Sequence, residues 1–121
     1  MVLRHSLSSR GLVQSGPAYS HLPGDHVPEL LNKESVTGWL RERNGWRRDG
    51  RAIGKEFRFP SFRDAIIFVN RVAGLADDMD HHPDIDIRYD RVHLRLSSHD
   101  AGGVTERDLV LAQAIDHSTS A

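Results

Sequence analysis

With 121 residues, 38% of them hydrophobic and 27% charged, the chain is long enough for one packed domain and too short for two cores. Its formal net charge of −1 lacks the basic excess of a nucleic-acid binder, and no apolar run approaches the roughly 20 residues of a membrane helix. The absence of cysteine rules out disulfides, thiolate nucleophiles and cysteine-held metals, and it is compatible with a reducing cytoplasm. Residues 1–28 are rich in Ser, Gly, Pro and His, and their first acidic residue is Asp25. They read as a flexible N-terminal extension ahead of a domain over 29–121. Arg4 and Arg10 among Ser6, Ser8 and Ser9 leave organelle targeting as an alternative, but there is no apolar core of a secretory signal. His5, His21 and His26 fall in this segment and receive no chemical role.

Asn32 caps a predicted helix to about Arg43, with Val36, Trp39 and Leu40 on one side and Asn44-Gly45 at its end. Trp46–Arg48 and Ile53–Phe59 read as strands around the turn Asp49-Gly50. Pro60-Ser61 breaks the second strand, and Ser61 with Asp64 forms a capping-box pattern. The helix that follows carries Phe62, Ala65, Ile66, Val69, Val72, Ala73 and Ala76 at spacings of three and four, a stripe suited to packing on a sheet. Ile85, Ile87 and Tyr89 then alternate with Asp86 and Arg88. After a turn at Asp90-Arg91, Val92, Leu94 and Leu96 alternate with His93, Arg95 and Ser97. Gly102-Gly103 forms a loop, and Thr105 with Asp108 caps a last helix through about Ile115. The order α-β-β-α-β-β-α predicts an α+β fold: a four-stranded antiparallel sheet with three helices on one face.

The chemically dense region runs from Asp77 to Asp108. Imidazole, with an ordinary pKa of about 6.5, both gives and takes protons near neutrality. His81-His82 sit where the long helix ends, and Pro83 biases His82 towards extended backbone, so the two rings point in different directions. His99 continues the parity of His93, Arg95 and Ser97. Hairpin pairing returns the end of that strand to the start of the one after Pro83, so three histidines converge.

The spacing Asp77, three residues, His81-His82-Pro83, five residues, Tyr89, nine residues, His99, eight residues, Asp108 resembles the signature of the pterin-4a-carbinolamine dehydratases. Gly45-Trp46, Phe57-Arg58-Phe59 before Phe62, Phe68-Val69-Asn70 and the stretch 98–108 support the resemblance, which covers about Leu30 to His117. The family commonly has Glu where this chain has Asp77, and Thr near Ser97 or Ser98; both changes preserve the chemistry. The resemblance implies that His81, His82 and His99 line a pterin site as catalytic groups, with Asp77, Asp80, Ser97, Ser98 and Asp108 as candidates for its edge. It implies dehydration of 4a-hydroxytetrahydropterin to quinonoid dihydropterin in tetrahydropterin recycling, with no metal or other cofactor.

Other readings stand beside this one. The histidine pair could be a helix end favoured by the dipole, and three imidazoles with a carboxylate could hold zinc, although the helical His-x₃-His spacing is missing. Asp77 and Asp78 could be a solvated helix end, and Asp108 could serve only as a capping acid. His93 reads as solvated. A protein-interaction module is the alternative function, since the animal relative also acts as a dimerisation cofactor for a transcription factor. The expected partners are a pterin and further copies of the chain, with no direct nucleic acid and no membrane. A homodimer or homotetramer follows from the two open sheet edges and from Phe68 and Leu75, which lie off the main helical stripe; the resemblance implies the same.

Overall fold

The computed structural model describes residues 2–4 and 29–119. Its elements in chain order are β1 (Val2–Arg4), α1 (Lys33–Arg41), β2 (Arg47–Asp49), β3 (Ala52–Arg58), α2 (Phe62–Met79), β4 (Asp84–Arg88), β5 (Arg91–Leu96) and α3 (Glu106–Thr119). From α1 onward this is the predicted α-β-β-α-β-β-α order. The helices start where side chains replace absent backbone acceptors. Asn32 Oδ1 accepts from the Ser35 N–H at 2.8 Å, and Ser61 Oγ from the Asp64 N–H at 3.1 Å. The end of α2 is equally local: Asp80 turns left-handed at φ 51°, and the His81 N–H reaches back to the Ala76 carbonyl at 3.0 Å. Asp is among the few non-glycine residues that tolerate this conformation.

The strands pair antiparallel in the order β1-β4-β5-β3-β2. Four are the expected ones. The fifth, Val2–Arg4, lies along the outer edge of β4, with Val2 opposite Asp86 and Arg4 opposite Asp84. The rest of the segment read as an extension lies outside the described residues. Ile53 and Phe57 of β3, Ile85 and Ile87 of β4, and Val92, Leu94 and Leu96 of β5 form one buried layer with Val36, Val69, Val72, Leu111 and Ile115. Every helix therefore covers the same sheet face. The opposite face carries Glu56, Arg58, Arg91, His93 and Arg95. Among the described residues no helix is long and apolar enough to cross a membrane.

Several expectations are corrected. Tyr89 does not continue the inward parity of Ile85 and Ile87. It stands in the β4–β5 turn at φ 57°, 71% exposed, and stacks on the exposed ring of Phe62 with centroids 6.4 Å apart. The turn is thus Tyr89-Asp90, one residue earlier than the Asp90-Arg91 reading, because Arg88 still pairs with Arg91. Phe62, assigned to the packing stripe, is 42% exposed. Phe68, assigned to a partner-facing surface, is 2% exposed, with its ring centroid 4.7 Å from that of Phe57 and 4.9 Å from that of Phe59. Phe57 of β3 and Phe59 just beyond it widen the buried side of α2 past its regular stripe. Leu75 is half-buried and also packs against the core.

Candidate active site

The α2 C-terminus, the end of β5 and the start of α3 meet at the histidine pair. His81 follows the left-handed residue that ends α2, and its side chain turns inward, leaving the residue 7% exposed. Its Nε2 lies 2.5 Å from Asp108 Oδ1 on α3. Asp108 is fully buried, and its other oxygen accepts from Ser98 Oγ at 2.9 Å and from the Thr105 N–H at 2.8 Å. Ser98 Oγ and Thr105 Oγ1 are also 2.7 Å apart. Thr105-x-x-Asp108 is thus the predicted capping box, and the same acid binds a histidine. A bridge between Ser98 and Gly103 bends the chain after β5 so that Ser98 faces the α3 N-terminus.

His82 turns the other way. Its Nε2 meets Asp77 Oδ1 at 2.9 Å, on the last turn of α2, where the Asp77 side chain is 66% exposed. The divergence expected from Pro83 is therefore present, and each ring has its own carboxylate.

His99 is exposed in the turn after β5 and enters neither pair. With Arg51, Arg95, Ser97 and Gly102 it lines a recess of about 300 Å³. Ser97 Oγ donates to the Arg51 carbonyl at 3.0 Å, and Arg95 is tied to Asp49 at 3.2 Å. The structure thus brings His81, Ser98 and Asp108 together, pairs His82 with Asp77, and groups Ser97 with His99. Asp80 is exposed at the helix end. His93 is exposed on the open sheet face, as expected. Thr105 was read only as a cap; its share in the histidine network becomes apparent once Ser98 and Gly103 are bridged. Arg51 and Arg95 also line the His99 recess; Arg51 carried no site signal in the sequence, and Arg95 only its alternation with the buried residues of its strand. Among the described residues no three or more His, Asp or Glu groups are placed to hold a metal ion together.

Residues 29–118 match the family model described as pterin 4 alpha carbinolamine dehydratase. A protein of Thermomicrobium roseum bearing the pterin-4-alpha-carbinolamine dehydratase name is 51% identical over 85 residues, 70% of this chain and 91% of its own. One of Roseiflexus castenholzii, named alike, is 52% identical over 87 residues, 72% of this chain and 94% of its own. A crystal structure of a transcriptional coactivator/pterin dehydratase from Brucella melitensis superposes with a TM-score of 0.68 at 36% identity, covering 72% of this chain and 95% of that one. A pterin dehydratase-like RuBisCO assembly factor of the alpha-carboxysome shares the fold, with a TM-score of 0.56 at 23% identity, over 65% of this chain and 94% of its own. With the family model spanning the chain from before α1 into the last turn of α3 and half of the aligned residues identical to such relatives, the chain belongs to the pterin 4 alpha carbinolamine dehydratase family of hydro-lyases.

Proposed function

We propose that this chain dehydrates 4a-hydroxytetrahydropterin to quinonoid dihydropterin by histidine general acid/base catalysis, in the cytoplasmic recycling of tetrahydropterin. One observation carries the reading: His81 and His82, consecutive in sequence, each hold a carboxylate through Nε2 and so are oriented proton carriers. Hydroxide is a poor leaving group. One imidazolium protonates it as its bond to C4a breaks, while a neutral imidazole takes the proton of the adjacent ring nitrogen, whose electron pair forms the new double bond. Water and the dihydropterin leave with no net electron transfer, so the step balances without an added oxidant. Positioned proton donors and acceptors contribute on the order of 10²–10⁴-fold each. His99, with Ser97 beside it, supplies the third imidazole. Asp77 and Asp80 lie at the exposed helix end, where they can meet substrate directly; Ser98 and Asp108 are buried and act through His81.

The test is an assay on freshly generated 4a-hydroxytetrahydropterin with chelator-treated protein. Acceleration is expected without metal or nucleotide. Inert protein revived by zinc would replace the proposal with a metal mechanism. No acceleration under either condition would favour the interaction-module reading, which gains support from the coactivator name of the Brucella melitensis relative.

The homodimer or homotetramer we propose no longer rests on Phe68. Its support is the outer edge of β2, where Arg47, Arg48 and Asp49 are exposed, and the exposed Ile67 of α2. Light scattering should give a multiple of the chain mass, and a monomer mass would overturn it.

A further inference from the structure

We propose that Asp108 is a positioning residue that fixes the tautomer of His81, so that Nδ1 is the nitrogen His81 offers to substrate. The inference rests on the acid/base reading of His81 given above and adds which ring nitrogen does the work.

The Thr105 backbone N–H can only donate, and it points at Asp108 Oδ2. The Arg107 N–H donates to Thr105 Oγ1 at 3.2 Å. Each hydroxyl has one proton to give. If Ser98 gives its proton to Asp108 Oδ2, Thr105 gives its own to Ser98, and every contact in the cluster is satisfied in one direction. Asp108 as a carboxylate then accepts at each of these contacts. Stripped of water, such a group is tolerable when donors meet its oxygens from all sides. An imidazole nitrogen is a stronger base than a carboxylate, so the proton of the remaining contact, 2.5 Å long, is assigned to His81 Nε2.

Nδ1 is the other half of the ring. It makes no hydrogen bond among the described residues. Arg107 Nε is the buried side-chain polar atom there that lacks a partner, so Nδ1 is reached by solvent. Its lone pair is available when the ring is neutral, and its proton when the ring is charged. The same carboxylate also anchors Ser98, whose carbonyl accepts from the Ala101 and Gly102 N–H groups at 3.0 and 2.9 Å. Asp108 thus sets the start of the turn that bears His99 as well.

Asp108→Asn separates this role from mere support. The amide oxygen stays where Thr105 and Ser98 donate, and the amide NH₂ then faces His81. Nε2 must accept, and the ring proton moves to Nδ1. In serine proteases the corresponding tautomer inversion costs about 10⁴ in turnover. Here kcat should fall by about 10²–10⁴-fold, with KM changed little.

The deciding experiment is long-range ¹H–¹⁵N NMR on histidine-labelled protein, with His81 assigned by its loss in His81→Gln. Wild type is expected to show a protonated Nε2 and a bare Nδ1, and Asp108→Asn the reverse. A neutral His81 protonated on Nδ1 in wild type would place the cluster's proton on Asp108 and overturn the proposal. So would an unchanged tautomer in a folded Asp108→Asn. The wild-type spectrum decides even if the variant does not fold. It reads the ring without turnover, so an idle enzyme with the expected tautomer would sink the dehydratase reading and leave only the control of the tautomer by Asp108 standing.

Discussion

His81 and His82 are neighbours in sequence and both bind a carboxylate through Nε2, yet the two pairs are built differently. The His82 pair is local: Asp77 lies five residues back, on the last turn of α2, with its side chain in water although the His82 ring is largely covered. The His81 pair spans 27 residues, joins two helices and keeps its acid fully out of solvent. An exposed pair gains little, because water and salt screen it and its side chains must be ordered. A buried one is costly to break, because whatever loses its partner is stranded without water. The acid that holds His82 is thus open to water, and the acid that holds His81 is locked in by the docking of α3.

The most drastic way to break this contrast is Asp108→Ala. It strands the Thr105 N–H, the Ser98 hydroxyl and His81 Nε2, and each unmet buried donor costs about 1–3 kcal/mol. A loss of about 3–5 kcal/mol is expected, which should lower Tm by well over 10 °C in a domain of this size. Calorimetry on Asp77→Ala in parallel sharpens the contrast, since equal losses would erase it.

Turnover comes next. His81→Ala, His82→Ala and His99→Ala should each slow dehydration by about 10²–10⁴-fold, while His93→Ala stays close to wild type. Comparable losses at His93 and His99 in folded protein would move the working site onto the open sheet face.

A smaller effect is expected from Ser98→Ala, which removes one donor from Asp108 and leaves the His81 contact in place. About 1–2 kcal/mol of stability should go, with the His81 tautomer retained. The smallest belongs to Asp77→Ala, within about 1 kcal/mol. Repeating the unfolding in about 1 M salt should remove that difference and leave the Asp108→Ala deficit intact.

Signals carried within a few residues were legible in the sequence. Ser61 with Asp64 and Thr105 with Asp108 marked helix starts, and the Val92, Leu94, Leu96 alternation marked a buried strand face. Pro83 after two histidines foretold their divergence. What depends on distant partners was not legible. Phe68 sits off the stripe of α2, and only the arrival of Phe57 from β3 and Phe59 just after it makes its position a core one. Tyr89 kept the parity of Ile85 and Ile87, but parity says nothing of where the chain turns. Asp108 looked like a cap or a pocket acid. That it caps α3 and also holds His81 depends on α3 docking beside the end of α2, which no local pattern records.

The edge strand β1 has a consequence for how the chain assembles. β2–β3 and β4–β5 are hairpins between sequence neighbours and can zip as soon as their turns form. β1 is made first, yet its partner β4 emerges only after two helices and two strands, so its pairing carries the largest loop-closure cost in the sheet. During synthesis Val2–Arg4 must wait, and in the finished fold these residues are the first that can peel away. Amide exchange at Leu3 should then run ahead of exchange at Leu94, at the centre of the sheet. The β4 edge would open and close on its own clock while the core beneath it stays shut.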